Sequence, residues 1–127
     1  MLTLANVRDW LKPQIVDAES FTIGKLDTSK KQAVCIYNRQ STSNRIAIGG
    51  LENTSTANKK ISILVRWGTN CNTAELKAQA IYNLFQGTQT INGKKCFFDV
   101  EFDEPVSLGT DKGIYEFTIE LTIIYER

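Results

Sequence analysis

Apolar and polar side chains alternate along the C-terminal segment Ile114–Glu126, which contains no turn residue and no proline. The odd positions from 115 to 125 are all apolar, whereas most of the even positions carry Glu or Thr. This period of two residues predicts a β-strand with one buried face. Thirteen residues at about 3.4 Å each span about 44 Å, whereas a compact chain of this length has a diameter of about 36 Å. The strand is therefore longer than the domain that should cover it.

Shorter runs of the same kind predict six more strands, most of them separated by turn residues. The first two runs are joined by the polar residues 27–30, and this short connection predicts a hairpin. The pair Asn92-Gly93 predicts a second hairpin, because a type I′ turn needs a positive φ at both central positions. The six predicted strands cover residues 21–26, 32–38, 45–51, 60–67, 88–91 and 94–102.

A period of 3.6 residues predicts a first helix over residues 4–12. Thr3 stands at the N-cap position, where a hydroxyl oxygen accepts a hydrogen bond from a free backbone N–H group. Pro13 cannot continue a helix and should therefore end this one. The stripe that we expect to be buried comprises Leu4, Val7, Trp10 and Leu11.

A second helix is predicted over residues 74–86, with Thr73 as its N-cap and Gly87 as its C-terminal stop. This helix has two apolar stripes, whereas a helix on the surface of a monomer needs only one. The second stripe should therefore meet either a loop of the same chain or a neighbouring subunit. The first stripe comprises Ala74, Ala78, Ile81, Tyr82 and Phe85, and the second comprises Leu76, Ala80 and Leu84.

These elements predict an α+β fold with a mainly antiparallel β-sheet and two helices packed on one side of it. Their order along the chain is α-β-β-β-β-α-β-β-β. A length of 127 residues fits one domain, residues 1–127, and is long enough to bury an apolar core. On the last strand the odd positions should be buried, and the acidic side chains of Glu116, Glu120 and Glu126 should meet solvent.

Charge and cysteine usage argue against several classes of function. Lys and Arg number 15 against 14 Asp and Glu, so the net charge is +1 and no basic region indicates a nucleic-acid site. Three cysteines without a C-x-x-C spacing and without any histidine do not make a zinc site, and we predict no metal and no cofactor. Cys35 and Cys96 lie among apolar residues and should be buried, whereas Cys71 should be exposed.

The sequence carries no sign of export or of membrane insertion. The N-terminus lacks the charged start and apolar stretch of a signal peptide. No apolar run approaches the roughly 18 residues that a membrane helix needs. Together with the unpaired cysteines, these features predict a protein that stays in a reducing cytoplasm and does not contact a membrane.

Catalysis has little support, because the chain has no histidine to act as a general base or as a metal ligand. The one cluster to weigh is the acidic row Asp99, Glu101 and Asp103, whose spacing places three carboxylates on one strand face. The row could hold a divalent cation, or it could be the solvated face of an amphipathic strand. Repeated around a ring, it could also give a channel a negative wall past which DNA slides.

Several short segments resemble the small minor capsid proteins of long-tailed bacteriophages, a group related to the tail terminators. The resemblance covers nearly the whole chain and depends on the order of elements and a few short segments. These segments are the helix end LKP (11–13), the strands FTIGKL (21–26) and KISILVRW (60–67), the hairpin INGK (91–94) and the closing EPVSLGTD (104–111).

The resemblance implies a structural protein of the virion, not an enzyme. Such terminators form a ring, typically of six subunits, at the head-proximal end of the tail tube. The ring stops growth of the tube, binds the tube protein and presents a surface to the head connector. DNA passes through it without being read. A virion protein of this kind is assembled in the cytoplasm of the bacterial host.

A ring subunit needs apolar surface beyond its own core, because each copy contacts the next through two different surfaces. The second stripe of the later helix and the end of the long strand are the two segments that we predict for this contact. The acidic row is predicted to face the channel. The candidate interface residues are Leu76, Leu84, Leu121, Ile123 and Tyr125, and the candidate channel residues are Asp99, Glu101 and Asp103.

Three alternatives are consistent with the same sequence. A head-completion or connector protein would also form a ring, although a strongly basic lining would be expected for it. A small-ligand-binding or peptide-binding α+β module of the host cell would be a monomer or dimer with a closed apolar pocket. An enzyme would use the row Asp99, Glu101 and Asp103 with a bound metal ion.

Overall fold

The computed structural model describes residues 1–39 and 56–126. It contains two α-helices, α1 (Leu4–Leu11) and α2 (Cys71–Tyr82), and a short 3₁₀ turn, Lys12–Gln14. The predicted strand over residues 45–51 lies outside the described residues. The strands are β1 (Ser20–Ile23), β2 (Gln32–Asn38), β3 (Thr56–Trp67), β4 (Thr88–Ile91), β5 (Lys94–Val100), β6 (Val106–Asp111) and β7 (Ile114–Glu126).

Helix α1 begins at Leu4, as predicted, and ends one residue earlier than predicted, at Leu11. The Thr3 hydroxyl oxygen accepts a hydrogen bond from the Asn6 N–H at 3.1 Å, and the Asn6 side-chain oxygen accepts one from the Thr3 N–H at 3.0 Å. This reciprocal pair satisfies two N–H groups that would otherwise lack partners at the start of the helix. The α-helix ends at Leu11, and Pro13 lies in the 3₁₀ turn that follows.

Helix α2 begins three residues earlier than predicted, at Cys71. Its N-cap is Asn70, whose side-chain oxygen accepts a hydrogen bond from the Thr73 N–H at 3.0 Å. The prediction of Thr73 as the cap is therefore wrong, because its N–H group donates the hydrogen bond that the cap residue Asn70 accepts. Both residue types are good caps, and the choice depends on which of them has an extended backbone, as Asn70 does. Cys71 is exposed, whereas Cys35 and Cys96 are buried, as predicted.

The strands form one sheet with the order β1-β2-β3-β7-β5-β4, and β6 also pairs with β7. Strand β3 pairs with one edge of β7 from Glu116 to Glu126. The other edge is shared, because β6 pairs with residues 114–118 of β7 and β5 pairs with residues 121–125. On this second edge, two shorter strands placed end to end therefore pair with β7.

Strand β6 is the element that the sequence did not reveal. Residues 106–113 were expected only to lead into the last strand, yet Val106–Asp111 forms a hairpin with β7. The turn residues Lys112 and Gly113 have φ of 53° and 79°, the left-handed pair that a type I′ turn requires. A bulge between Ser107 and Gly109 interrupts the alternation of side chains, which explains why the periodicity was missed. The hairpin at Asn92-Gly93 is confirmed, with φ of 51° and 75°.

Strands β1 and β2 do not form the predicted hairpin, because they are parallel. Ser20 pairs with Ala33 and Ile23 pairs with Ile36, so the chain must return along the length of β1 before β2 begins. Residues 24–31 make this return, and eight residues at about 3.3 Å each reach well beyond the roughly 10 Å needed. Polar turn residues predict a change of direction, but they do not determine whether the next strand pairs in antiparallel or, after a longer return, in parallel.

The core lies between the helices and one face of the sheet, as the α+β prediction requires. The odd positions of β7 are buried from Phe117 to Tyr125, against apolar residues of β3 and both helices. Trp10 joins the two helices to β5, since its ring lies 5.6 Å from Phe85 and 5.4 Å from Phe98 between ring centroids. The opposite face of the sheet has no helix packed on it within the described residues.

Candidate assembly surfaces

The face of the sheet that the helices leave free carries the even positions of β7 and their partners on β3 and β5. Polar and charged side chains alternate there with half-buried apolar ones such as Leu64 and Ile124. This surface is called the free face below. Two arginines organise it: Arg66 lies at one end of the stretch where β3 and β7 pair, and Arg39 lies nearer its middle, beside Glu120.

Arg66 is a fully buried cation at one end of the free face. Its Nη1 lies 2.9 Å from the Asp111 carboxylate and 3.4 Å from that of Glu116, and its Nε donates to the Lys30 carbonyl oxygen at 3.3 Å. A buried cation is tolerated only when charge and hydrogen bonds compensate for lost solvation. The cluster therefore connects β3, the β6–β7 hairpin and the segment before β2. Glu116 is only 17% exposed, so its predicted contact with solvent is wrong.

Arg39 pairs with Glu101 and Glu120 nearer the middle of the free face, with 2.9 Å between its Nη1 and the Glu120 carboxylate. Its hydrogen bond is the main cause that holds the pKa of Glu101 below its ordinary value of 4.5. Glu120 is 30% exposed in this pair, so it meets solvent only in part. Glu126, by contrast, is exposed as predicted.

The acidic row does not stay on one strand. Strand β5 ends at Val100, two residues earlier than predicted, and residues 101–104 form a bend. Asp99 is exposed on the free face beside Thr122, and Glu101 is bound to Arg39. Asp103 is exposed in the bend, which the Tyr82 hydroxyl holds by donating to the Phe102 carbonyl oxygen at 2.7 Å. Burial, and to a lesser extent Asp103, raises the pKa of Tyr82.

A metal ion has no ready site in this arrangement. The described residues contain no group of three or more His, Cys, Asp or Glu side chains that could hold one. Within the acidic row, the Glu101 carboxylate is already neutralised by a guanidinium.

The second stripe of α2 is exposed over its first two members and partly covered at its end. Leu76 is 62% exposed and Ala80 is also exposed in the part of the chain that the structure describes. Leu84 is half-buried and packs against the core. The stripe therefore leaves Leu76 as its main apolar contact surface.

The candidates on β7 are placed inside the subunit. Leu121 and Ile123 are fully buried in the core between the sheet and the helices, and Tyr125 is nearly so. Their side chains face the covered side of the sheet, where they pack against residues of their own chain. The interface that we propose below does not include them.

Several exposed apolar side chains were not among the sequence candidates, and those of Val16, Phe102 and Leu108 lie in or next to the segments that form β1 and β6. Val16, before β1, is 87% exposed, and Leu108, in the bulge of β6, is 54% exposed. Phe102, in the bend before β6, is also exposed. A single apolar residue in a polar segment carries no periodic signal, so the pattern of the sequence could not single these residues out.

Comparisons with known proteins give one match. The family model described as bacteriophage tail terminator protein matches residues 5–127. None of the curated proteins compared with the chain matches it. No helix among the described residues is long and apolar enough to cross a membrane.

Proposed function

Because the chain belongs to the bacteriophage tail terminator family, we propose that it forms a ring on the head-proximal end of the tail tube. The ring stops addition of tube subunits and offers its other side to the head connector or head-completion protein. The observation that carries this proposal is the family match over residues 5–127, which spans both helices and all seven described strands. The protein is a structural component of the phage tail.

The surface of the subunit supports a ring built from many copies. A ring requires two different contact surfaces on each subunit, and each must remain free when the subunit has folded. Leu76 lies on the outer side of α2, and Val16 and Leu108 lie beside strands β1 and β6. Exposed apolar side chains that are spread over separate surfaces fit a subunit with several neighbours, and Leu76 and Leu84 remain our candidates on α2.

We propose that the free face of the sheet lines the channel. It carries the carboxylates of Asp99, Glu101 and Glu120, of which Asp99 and Glu101 are exposed. Carboxylates repel a DNA backbone, so they would keep the passing genome from binding to the wall. Arg39 compensates part of this charge and holds the carboxylates in place. Asp99 is then the member of the acidic row on this face that binds neither arginine. Lys60 adds a cation to the same face, whereas Asp103 lies near Tyr82 of α2.

Polymerisation of the tube protein of the same phage tests the capping activity. With the wild-type chain present, tubes should stop at short and narrowly distributed lengths, and electron microscopy should show a ring at one end of each tube. Without it, tubes should continue to lengthen. A length distribution that is the same with and without the chain would overturn the proposal. Binding to filled heads that lack tails would favour the head-completion alternative instead.

The contribution of α2 can be tested in the same assay with a matched pair of variants. Leu76→Lys places a charge on the exposed apolar stripe, whereas Gln86→Lys adds the same charge just beyond the helix, at a polar exposed position. We expect the first variant to cap tubes at least tenfold less efficiently and the second to act as the wild type. Equal activity of the two variants would remove Leu76 from the interface.

A further inference from the structure

The sheet has two unpaired edges that lie level with each other on its opposite sides. Strand pairing places Phe21, Val34, Val65, Phe117 and Ser107 in one row across β1, β2, β3, β7 and β6. In the part of the chain that the structure describes, no strand pairs with the outer side of β1 or of β6. Strand β4 is also an edge, but its partner β5 meets β7 beyond the end of β2, so it is not level with β1.

Neither edge is blocked by lysine or proline, although β1 is only four residues long and β6 contains a bulge. Soluble proteins commonly protect an edge strand with lysines, prolines or inward-pointing charges. Strand β1 contains no charged residue and no proline, and the one charged residue of β6 is Asp111, which is bound to Arg66. An exposed apolar side chain accompanies each edge, Val16 beside β1 and Leu108 on β6.

The directions of the two strands are those that an antiparallel junction requires. Strand β3 is antiparallel to β2 and to β7, β1 is parallel to β2, and β6 is antiparallel to β7. It follows that β1 and β6 run in opposite directions. If a second copy continued the sheet in the same orientation, its β1 would lie antiparallel to β6, the arrangement with the more stable ladder.

Backbone donors are free on both edges. The Gly24 N–H donates to the Ile36 carbonyl oxygen at 2.8 Å, so the even-numbered amides of β1 point toward β2 and the Ile23 amide points outward. On β6, Asp111 and Ile114 are the closing pair of a two-residue turn, so the Asp111 amide points toward β7. The preceding amide, that of Thr110, then points away from the sheet.

We infer that neighbouring subunits join by strand addition, with β1 of one copy pairing antiparallel to β6 of the next. The partner is a second copy of this chain, and the contact uses a different edge on each side, which is what a closed ring requires. The apolar side chains Val16 and Leu108 flank the junction. This inference depends on the proposed ring, and it adds to that proposal the surface through which the ring closes.

Proline variants at the outward-pointing amides test the junction. Ile23→Pro and Thr110→Pro each remove one outward N–H group, and edge strands tolerate proline. Ile23→Val and Thr110→Val are the matched controls, because they change the same side chains but keep the amides. Circular dichroism and the melting temperature establish that each variant is folded.

Rings are counted by light scattering behind a sizing column and by negative-stain imaging, both free and on the ends of tail tubes. We expect each proline variant to form at least tenfold fewer rings than its valine control. A mixture of the two proline variants should give a species of two copies, because β6 of the Ile23→Pro chain and β1 of the Thr110→Pro chain remain intact. Neither variant alone should give this species.

The outcomes separate this inference from the proposed function. If folded proline variants form rings as readily as their valine controls, strand addition is wrong, although the ring and its capping activity stand. If the wild-type chain neither forms rings nor limits tube length, the proposed function fails and the junction fails with it. If the mixture stays monomeric while the valine controls form rings, the contact does not join β1 to β6.

Discussion

The two faces of the sheet are stabilised by different interactions, although the same strands build both. The face under the helices is a continuous apolar layer in which Phe117, Ile119, Leu121 and Ile123 of β7 are buried. The free face has no such layer, and ion pairs around Arg39 and Arg66 connect its strands. The covered face is stabilised by burial of apolar area, which depends little on pH or salt. The free face depends on charge, which responds to both.

The largest expected effect is on the covered face. Leu121→Ala should destabilise the folded state by about 3 to 5 kcal/mol, because it removes a fully buried side chain and leaves a cavity. Urea unfolding measures this loss. Thr122→Ala is the neighbouring control on the free face, and it should cost less than about 1 kcal/mol. Similar losses for the two variants would contradict the division of β7 into a buried and a polar face.

Removal of the buried cation should have the next largest effect. Arg66→Met leaves the Asp111 and Glu116 carboxylates without their partner, and we expect a loss of about 2 to 3 kcal/mol in the free energy of unfolding. Arg66→Lys keeps the charge but loses the fork that reaches Lys30 and both carboxylates, so it should fall between the wild type and Arg66→Met. An Arg66→Met variant as stable as the wild type would show that the cluster is dispensable.

Acid should weaken the free face through Glu101. Its pKa is lower in the folded state than its ordinary value of 4.5, so its stabilising contribution is present above about pH 4.5. That contribution disappears as the pH falls through the lowered folded-state pKa. The melting temperature of the wild type should therefore exceed that of Glu101→Gln at pH 7 and approach it below pH 4. A difference that stays constant over this range would remove Glu101 as the acid-sensitive group.

The smallest effect on stability is expected outside both faces. Leu76→Lys alters a side chain that is 62% exposed on α2, so it should change the free energy of unfolding by no more than about 0.5 kcal/mol. Its effect should be confined to assembly. A loss of stability comparable with that of Leu121→Ala would mean that Leu76 belongs to the core of the subunit, and unfolding in urea distinguishes the two cases.

Much of the fold followed from short-range patterns. The alternation in Ile114–Glu126 identified both the strand and its buried positions, and Asn92-Gly93 identified a hairpin. The cap at Thr3 and the end of α1 before Pro13 also followed from local chemistry. The family resemblance is confirmed by the match over residues 5–127. Each of these features depends on residues that are neighbours in the chain, so a sequence displays them directly.

The candidate surfaces were harder to predict, because their composition depends on which strands become neighbours. Leu121 and Ile123 have the same pattern whether a helix of their own chain or another subunit covers them, and only the packing of α2 and β3 places them in the core. The acidic row is regular in sequence, but the chain leaves the strand after Val100, so Asp103 no longer aligns with Asp99. Exposure of Val16 and Leu108 is likewise a property of the folded surface.

By itself, the sequence determined both helices and most of the strands, which side of the last strand is apolar, and to which family the chain belongs. The tertiary structure decided that β1 and β2 are parallel, that β5 and β6 share one edge of β7, and that the arginines bind their carboxylates. Those carboxylates lie far away in the chain: Asp111 is 45 residues from Arg66 and Glu120 is 81 residues from Arg39. Local preferences act between adjacent residues, whereas such contacts form only when the whole sheet brings distant segments together.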